Sequence, residues 1–250
     1  MAALRQLGSR ALQLPQIWKT SASIALVRNA SQDATKPILY SYWTSSCSWR
    51  VRIALALKDI DYEIRATSLL KKDSNHVYTT DFLKVNPMQT VPALHIDGNT
   101  LCDSIAIIHY LDETRPQNAV LPQDPVQRAK VREIVFLIGS AIQPLQNRLV
   151  LETIGEEKNM DWARHWISRG FRGLERILSQ SSGKYCVGDE ISMADVFLVP
   201  QVFNALRYKT DMTPYPTIVR LNEELLKLES FKVSHPHVQP DCPPKFAKKS

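Results

Sequence analysis

An open α/β domain followed by an all-helical domain is the fold class predicted, on three observations. Pro37-Ile38-Leu39-Tyr40-Ser41-Tyr42 is a short apolar run leading through a polar loop into an apolar helical stretch. Asp97-Gly98 lies between two short strand-like runs, which marks a hairpin. From Val126 onward, apolar residues recur at three- and four-residue spacing, the pattern of packed helices.

The elements follow in order. The run at 37–42 is too brief for a helix and bounded by polar residues, so it reads as a buried strand. Ser45-Ser46-Cys47-Ser48-Trp49-Arg50-Val51-Arg52-Ile53-Ala54-Leu55 opens a helix that Ala56 and Leu57 continue and that ends at Asp59 to Asp61. A second strand at 62–66 completes a βαβ unit of an open sheet, whose ligands bind beyond the carboxyl ends of the strands. Residues 71–74 read as polar loop and 75–85 as a weakly amphipathic helix closed by Asn86-Pro87. Val91-Pro92-Ala93-Leu94-His95-Ile96 is a strand entered through a proline, paired across Asp97-Gly98 with Thr100-Leu101. Asp103-Ser104 is an acceptor pair ahead of the apolar helical run 105–111, so residues 36–115 form a βαβαββα domain.

Residues 114–125 carry three prolines and read as a linker. The helical domain then spans 126–240, with helices over 128–151 and 162–179. Ser192 is placed to cap the helix at 196–205, with Asp195 answering from the third helical position. Pro214 and Pro216 interrupt the pattern, which resumes over 217–228. Beyond His235 the proline-rich end reads as an extended tail, with 241–250 outside the domain.

Composition narrows the functional class. A chain of 250 residues with 44% hydrophobic and 22% charged residues is globular, with one or two domains. Much of the net charge of +6 sits at the ends, in Arg5, Arg10, Lys19, Arg28, Lys245, Lys248 and Lys249, so nucleic-acid binding is set aside. No apolar run approaches a membrane span. Residues 1–32 hold four basic residues, no acidic one and several serines, the composition of a mitochondrial presequence or of a disordered extension. Cytoplasm or mitochondrion is the expected location. Cys47, Cys102, Cys186 and Cys242 are widely spaced without a CxxC, which indicates neither zinc nor a disulfide framework and fits a reducing compartment.

The chemistry concentrates at Ser45-Ser46-Cys47. A helix N-terminus offers unpaired N–H groups and the positive end of the helix dipole, so a thiolate placed there is stabilised. That sulfur belongs either to Cys47 or to a ligand. At Cys47 the resolving position of a redox motif is taken by Arg50, which favours a supporting role over direct disulfide chemistry. Ser46 is the candidate for the activating hydrogen bond, its alternative being a plain helix cap. Tyr40 and Tyr42 read as packing residues, Arg50 and Arg52 as solvated faces or anion partners, and Trp49, Trp162 and Trp166 as packing.

Taken together, the sheet pattern, the Val91-Pro92 entry, the Asp103-Ser104 pair and the helical second domain resemble a cytosolic glutathione transferase. The motif from Ser45 to Leu55 is similar to the signature of the zeta class, whose members act as maleylacetoacetate isomerases. Asn86-Pro87-Met88, Leu121-Pro122-Gln123-Asp124-Pro125, Ile142-Gln143-Pro144-Leu145-Gln146-Asn147 and Tyr185-Cys186-Val187-Gly188-Asp189-Glu190 extend the resemblance from about Lys36 to Pro240.

The resemblance implies a thioredoxin-like N-terminal domain, glutathione as cosubstrate, a small-molecule substrate and a homodimer. It places Ser45, Ser46 and Cys47 around the glutathione sulfur as the catalytic group, and adds Ser48, Trp49 and Arg50 to the binding set. Val91 would pair its backbone with the cysteinyl unit, with Val91-Pro92 cis. Asp103-Ser104 would hold the γ-glutamyl end, Gln143 and Asn147 would line the far wall, and Arg207 matches the family's active-site arginine. One departure is plain: the zeta pattern commonly has Gln where this chain has Asp103.

The implied activity is glutathione-dependent cis–trans isomerisation of maleylacetoacetate to fumarylacetoacetate in phenylalanine and tyrosine breakdown. Conjugation of small electrophiles such as α-halo acids, or a weak peroxidase activity, uses the same thiolate. A non-catalytic interaction module is the third reading, against which the intact Ser45-Ser46-Cys47 and Asp103-Ser104 stand.

Overall fold

The first domain is built on a four-stranded sheet in the order β2-β1-β3-β4, in which β1 (Ile38–Ser41) runs parallel to β2 (Glu63–Ala66) and antiparallel to β3 (Ala93–Ile96). β3 turns through Asp97 and Gly98, both at positive φ, into β4 (Asn99–Cys102). Two adjacent left-handed residues match the twist of a tight hairpin. The computed structural model describes residues 36–67 and 80–247. The N-terminal extension with its presequence reading, the polar loop at 71–74 and the start of the helix expected over 75–85 lie outside the described residues; that helix is described as α2 (Thr80–Val85).

Helix α1 (Ser46–Leu57) is the centre of the molecule. Trp49, Val51, Ile53, Ala54 and Leu55 are all buried, so apolar residues surround the helix instead of forming a single stripe. The sheet and α3 (Ser104–Thr114) are its first-domain neighbours. On the other side it meets α7 (Met193–Arg207) and α9 (Glu229–Val233) of the helical half. Lys58 closes α1, its buried ammonium paired with Asp112 at 2.9 Å and with the Arg115 carbonyl at 2.8 Å. The linker is anchored likewise: the Val120 amide donates to Asp112 and its carbonyl accepts from the Met193 amide.

The run expected as one helix over 128–151 is four pieces. α4 (Pro125–Phe136), capped by Asp124, passes into a π-helical turn (Leu137–Ile142), a 3-10 turn (Gln143–Gln146) and α5 (Arg148–Ile154). Pro144 supplies no N–H, so the ladder cannot pass through it. By length and composition alone Pro125–Ile154 would suffice to cross a membrane, yet it is broken into these four pieces and makes no clear span. Its Val131, Ile134, Val135, Ile138 and Ile142 are buried in the core, where α4 packs on α6 (Glu156–Ser181) and α7.

At the start of α7 the Ser192–Asp195 capping box forms as expected, although the helix begins three residues before 196. The Asp195 carboxylate accepts from the Ser192 amide at 2.8 Å and the Cys186 amide at 2.9 Å. Burial raises its pKa against those hydrogen bonds, and burial beside Asp195 pushes the Cys186 thiol well up. α8 (Pro216–Leu225) and α9 complete the helical half.

The expected extended tail is instead packed down. After a 3-10 turn (Pro236–Val238), Asp241 accepts from the Trp43 amide at 2.8 Å, and Phe246 stacks on the Trp43 ring at 5.5 Å between centroids. Arg52, fully buried and no solvated face, fastens the same region: it donates to the carbonyls of Ser234 and Trp43 and to the Ser41 hydroxyl, each at 3.0 Å. Burial lowers its pKa to about 10, which leaves it charged at neutral pH.

Candidate active site

Where β1 ends, the chain crosses a short loop and enters α1, and a cleft of about 600 Å³ opens over that turn between the two halves of the chain. Ser45 is the residue that caps α1, its Oγ accepting from the Ser48 amide at 3.2 Å. Ser46, expected either to cap or to activate, is therefore relieved of capping. It occupies the first helical position and lines the cleft with Ser45 and Cys47. The amides of Ser46 and Cys47 have no intrahelical acceptor, so an anion over this turn meets two N–H groups and the dipole's positive end.

Val91, next to the cis Val91–Pro92 bond, lines the cleft as well; Pro92 does not. Gln143, Asn147 and Arg207 form part of the opposite wall. The π-helical and 3-10 turns matter here, because a wider turn followed by a tighter one re-aims the chain so that Gln143 and Asn147 reach the same cleft. Asn147 caps α5 through its Oδ1, which accepts from the Leu149 amide, so its Nδ2 is the end left to donate. Gly170 lets α6 approach this segment closely: a Cβ there would overlap the buried Ile142 side chain. Arg207 closes α7 and donates to Thr44 Oγ1 at 3.2 Å, joining the helical half to the loop before α1.

Two expected binding residues are misplaced by helical geometry. Ser48 and Trp49 follow Cys47 in sequence, but the helix turns them away from the cleft. Ser48 is fully buried, and the Trp49 indole donates to Ser234 Oγ at 3.0 Å and packs against Phe203 and His235. Arg50 is also buried, not solvated, with its guanidinium 4.1 Å from the centre of the Phe197 ring. Burial lowers its pKa, opposed by the charges of Cys47 and Asp103.

Asp103 and Ser104 stand at the start of α3, outside the cleft lining. Asp103 takes φ 73°, and its Oδ1 accepts from the amides of Ile105 at 2.7 Å and Ala106 at 3.2 Å. Arg50 Nη1 reaches both this pair and the sulfur turn, at 3.3 Å from Ser104 Oγ and 3.5 Å from Cys47 Sγ. Tyr42, read from sequence as packing, lines the cleft, as do Thr44, Gln146 and Tyr208, which carried no signal of their own. Burial raises the Tyr208 pKa, partly offset by neighbouring Arg207.

Residues 44–114 match the family described as glutathione S-transferase, N-terminal domain, and residues 149–232 match glutathione S-transferase, C-terminal domain. A Drosophila melanogaster protein named probable maleylacetoacetate isomerase 1 is 66% identical over 249 residues, covering 100% of both chains. The chain belongs to the zeta class of the glutathione S-transferase family. A mouse relative, named maleylacetoacetate isomerase, is 61% identical over 84% of this chain and 97% of its own. Two solved structures share the fold. One is a maleylacetoacetate isomerase from Anaeromyxobacter dehalogenans with bound GSH in its active site, at TM-score 0.74 and 40% identity over 83% of this chain and 98% of that one. The other is a maleyl pyruvate isomerase described as a bacterial zeta-class transferase, at TM-score 0.78 and 38% identity over 82% of this chain and 100% of that one.

Proposed function

We propose that this zeta-class transferase catalyses the glutathione-dependent cis–trans isomerisation of maleylacetoacetate to fumarylacetoacetate, with glutathione transfer to small electrophiles as a second use of the same site. The observation that carries this reading is the sulfur turn: Ser45, Ser46 and Cys47 line a cleft at the N-terminus of α1, opposite Arg207. The residues present fit the peptide thiol. Two unpaired amides and the Ser46 hydroxyl suit its sulfur, and Val91 lies beside them to pair with its backbone. The Asp103 carboxylate, with Oδ1 engaged by α3, has Oδ2 for an ammonium.

Bound glutathione supplies a thiolate that adds to the conjugated double bond, permits rotation about the resulting single bond, and leaves as the trans product forms. Ser46 donates its hydroxyl proton toward the sulfur and, with the first-turn amides, favours the thiolate over the thiol. Arg207 binds a substrate carboxylate with its planar fork, steadied by Thr44. Gln143 and Asn147 offer amide donors from the far wall to oxygen charge that develops on the substrate.

Purified protein given glutathione and maleylacetone is expected to isomerise it. No rate above the buffer control, together with good conjugation of a halo acid, would overturn the isomerase assignment in favour of conjugation. We further propose a homodimer, supported by family membership and checked by light scattering. Residues 1–32 are proposed to direct the chain to the mitochondrion, with a cytoplasmic pool as the alternative; diffuse fluorescence from a fusion of the first 35 residues would overturn the mitochondrial assignment.

A further inference from the structure

Arg50 is an unusual residue to bury. It is 2% exposed, and among the described residues no carboxylate lies within ion-pairing distance of it. Its Nε and Nη2 have no hydrogen-bond partner, and the Phe197 ring covers the guanidinium. Burying a cation this way costs free energy that an apolar side chain of similar volume would not. Packing alone therefore does not account for it.

What Arg50 does reach is both the sulfur turn and the start of α3, where the glutathione reading puts the two ends of the ligand. Its Nη1 lies 3.3 Å from Ser104 Oγ on α3 and 3.5 Å from Cys47 Sγ on α1. A nitrogen with two protons can serve two acceptors. A serine hydroxyl that accepts from a guanidinium must send its own proton elsewhere, so Ser104 is set as a donor. The charged and titratable groups facing Arg50 are Cys47 from α1 and Asp103 from the start of α3, while α7 contributes the uncharged Phe197 ring.

We infer that Arg50 is a positioning residue of the glutathione site: one buried nitrogen ties the sulfur turn of α1 to the start of α3 and fixes the Ser104 hydroxyl as a donor to the ligand's α-carboxylate. This rests on the glutathione reading of the cleft. Arg50 thus acts on affinity through Ser104 and does not itself touch the reacting atoms.

A double-mutant cycle on glutathione binding, measured by titration calorimetry on the full chain, tests this. Arg50→Met is expected to weaken binding about tenfold, the scale of one charge-assisted hydrogen bond, and to weaken S-methylglutathione equally because the carboxylate end is shared. In a Ser104→Ala background the same substitution should cost less than about twofold, since the hydroxyl it orients is gone. Arg50→Lys keeps a buried cation with a single donor head and serves if Arg50→Met does not fold; its smaller loss should also vanish in Ser104→Ala. Equal losses in both backgrounds would reduce Arg50 to a structural residue and overturn the assignment, as would unchanged affinity in a folded variant or a loss confined to the free thiol. Wild-type protein that fails to bind glutathione would overturn the glutathione reading itself, and Arg50's role with it.

Discussion

The wall of the cleft formed by residues 44–47 and the wall formed by residues 143–160 hold their side chains in different ways. The first is a regular helix start: Ser45 caps, Ser46 and Cys47 follow on one turn, and the helix behind them is packed on every side. The second is an irregular passage of π-helical turn, 3-10 turn and short helix that carries Gln143, Gln146 and Asn147 into the same space. A regular helix start offers fixed dipoles and amides, which suit a small anionic sulfur met in every cycle. An irregular wall offers side chains whose placement depends on remote packing, which suits the part of the site that must accept an electrophile. The sulfur wall should therefore govern turnover, and the helical wall selectivity and apparent affinity.

Ser46→Ala is the largest break in that comparison. Losing the hydroxyl is expected to cut kcat about 100-fold, the scale of one donor to developing charge, with little change in Tm. Ser45→Ala should do the reverse, removing the cap for about 1 kcal/mol of stability while leaving most of the turnover. Steady-state kinetics beside thermal melts separate the two, and equal kinetic losses would dissolve the distinction between cap and activator. Next in size, Arg207→Gln should raise KM for a dicarboxylate substrate about tenfold, as expected for one charged hydrogen-bonding anchor. Conjugation of an uncharged aryl halide should barely change. A comparable loss for both substrates would move Arg207 from the substrate to the sulfur wall.

Gly170→Ala probes the irregular wall from behind. Its methyl group would overlap Ile142, the last residue of the π-helical turn, so the turn must shift. Overpacking of this kind costs about 1–3 kcal/mol, and the displacement should reach Gln143, the next residue. The expected signature is a lower Tm with a raised KM for the electrophile and an unchanged glutathione affinity. Coupled loss of glutathione affinity would show that the two walls are not independent.

The contrast also explains what could be read in advance. β1, α1, the Asp97-Gly98 hairpin and the Ser192–Asp195 capping box were legible because each is signalled by neighbours within a few residues. The same locality misled at Ser48 and Trp49. Proximity along a helix is not proximity in a site, since about 100° of rotation per residue carries them into the core beside Ser234 and His235. Residues 128–151 read as helix throughout because apolar spacing survives a π-helical turn, and only the aim of Gln143 and Asn147 reveals the break. Arg52 and Arg50 gave no sign of burial because their partners lie on elements far away in sequence, at Ser234 and Ser104.

The smallest expected effect concerns the support of the sulfur wall. Trp43 immediately precedes Thr44 and Ser45, and the end of the chain holds it: Asp241 accepts from its amide, and Phe246 stacks on its ring. The Trp43 carbonyl is separately fixed by buried Arg52, so the loop is fastened from two directions. Because Arg52 remains, Asp241→Ala should cost only about 1 kcal/mol and less than about twofold in kcat. The effect should appear as faster hydrogen exchange at Trp43 and Thr44, with α1 itself unchanged. A large drop in kcat from this one part-buried contact would mean that the C-terminal segment, and not the helix start alone, sets the geometry over the sulfur; the rigid wall would then be rigid only because the last residues of the chain make it so.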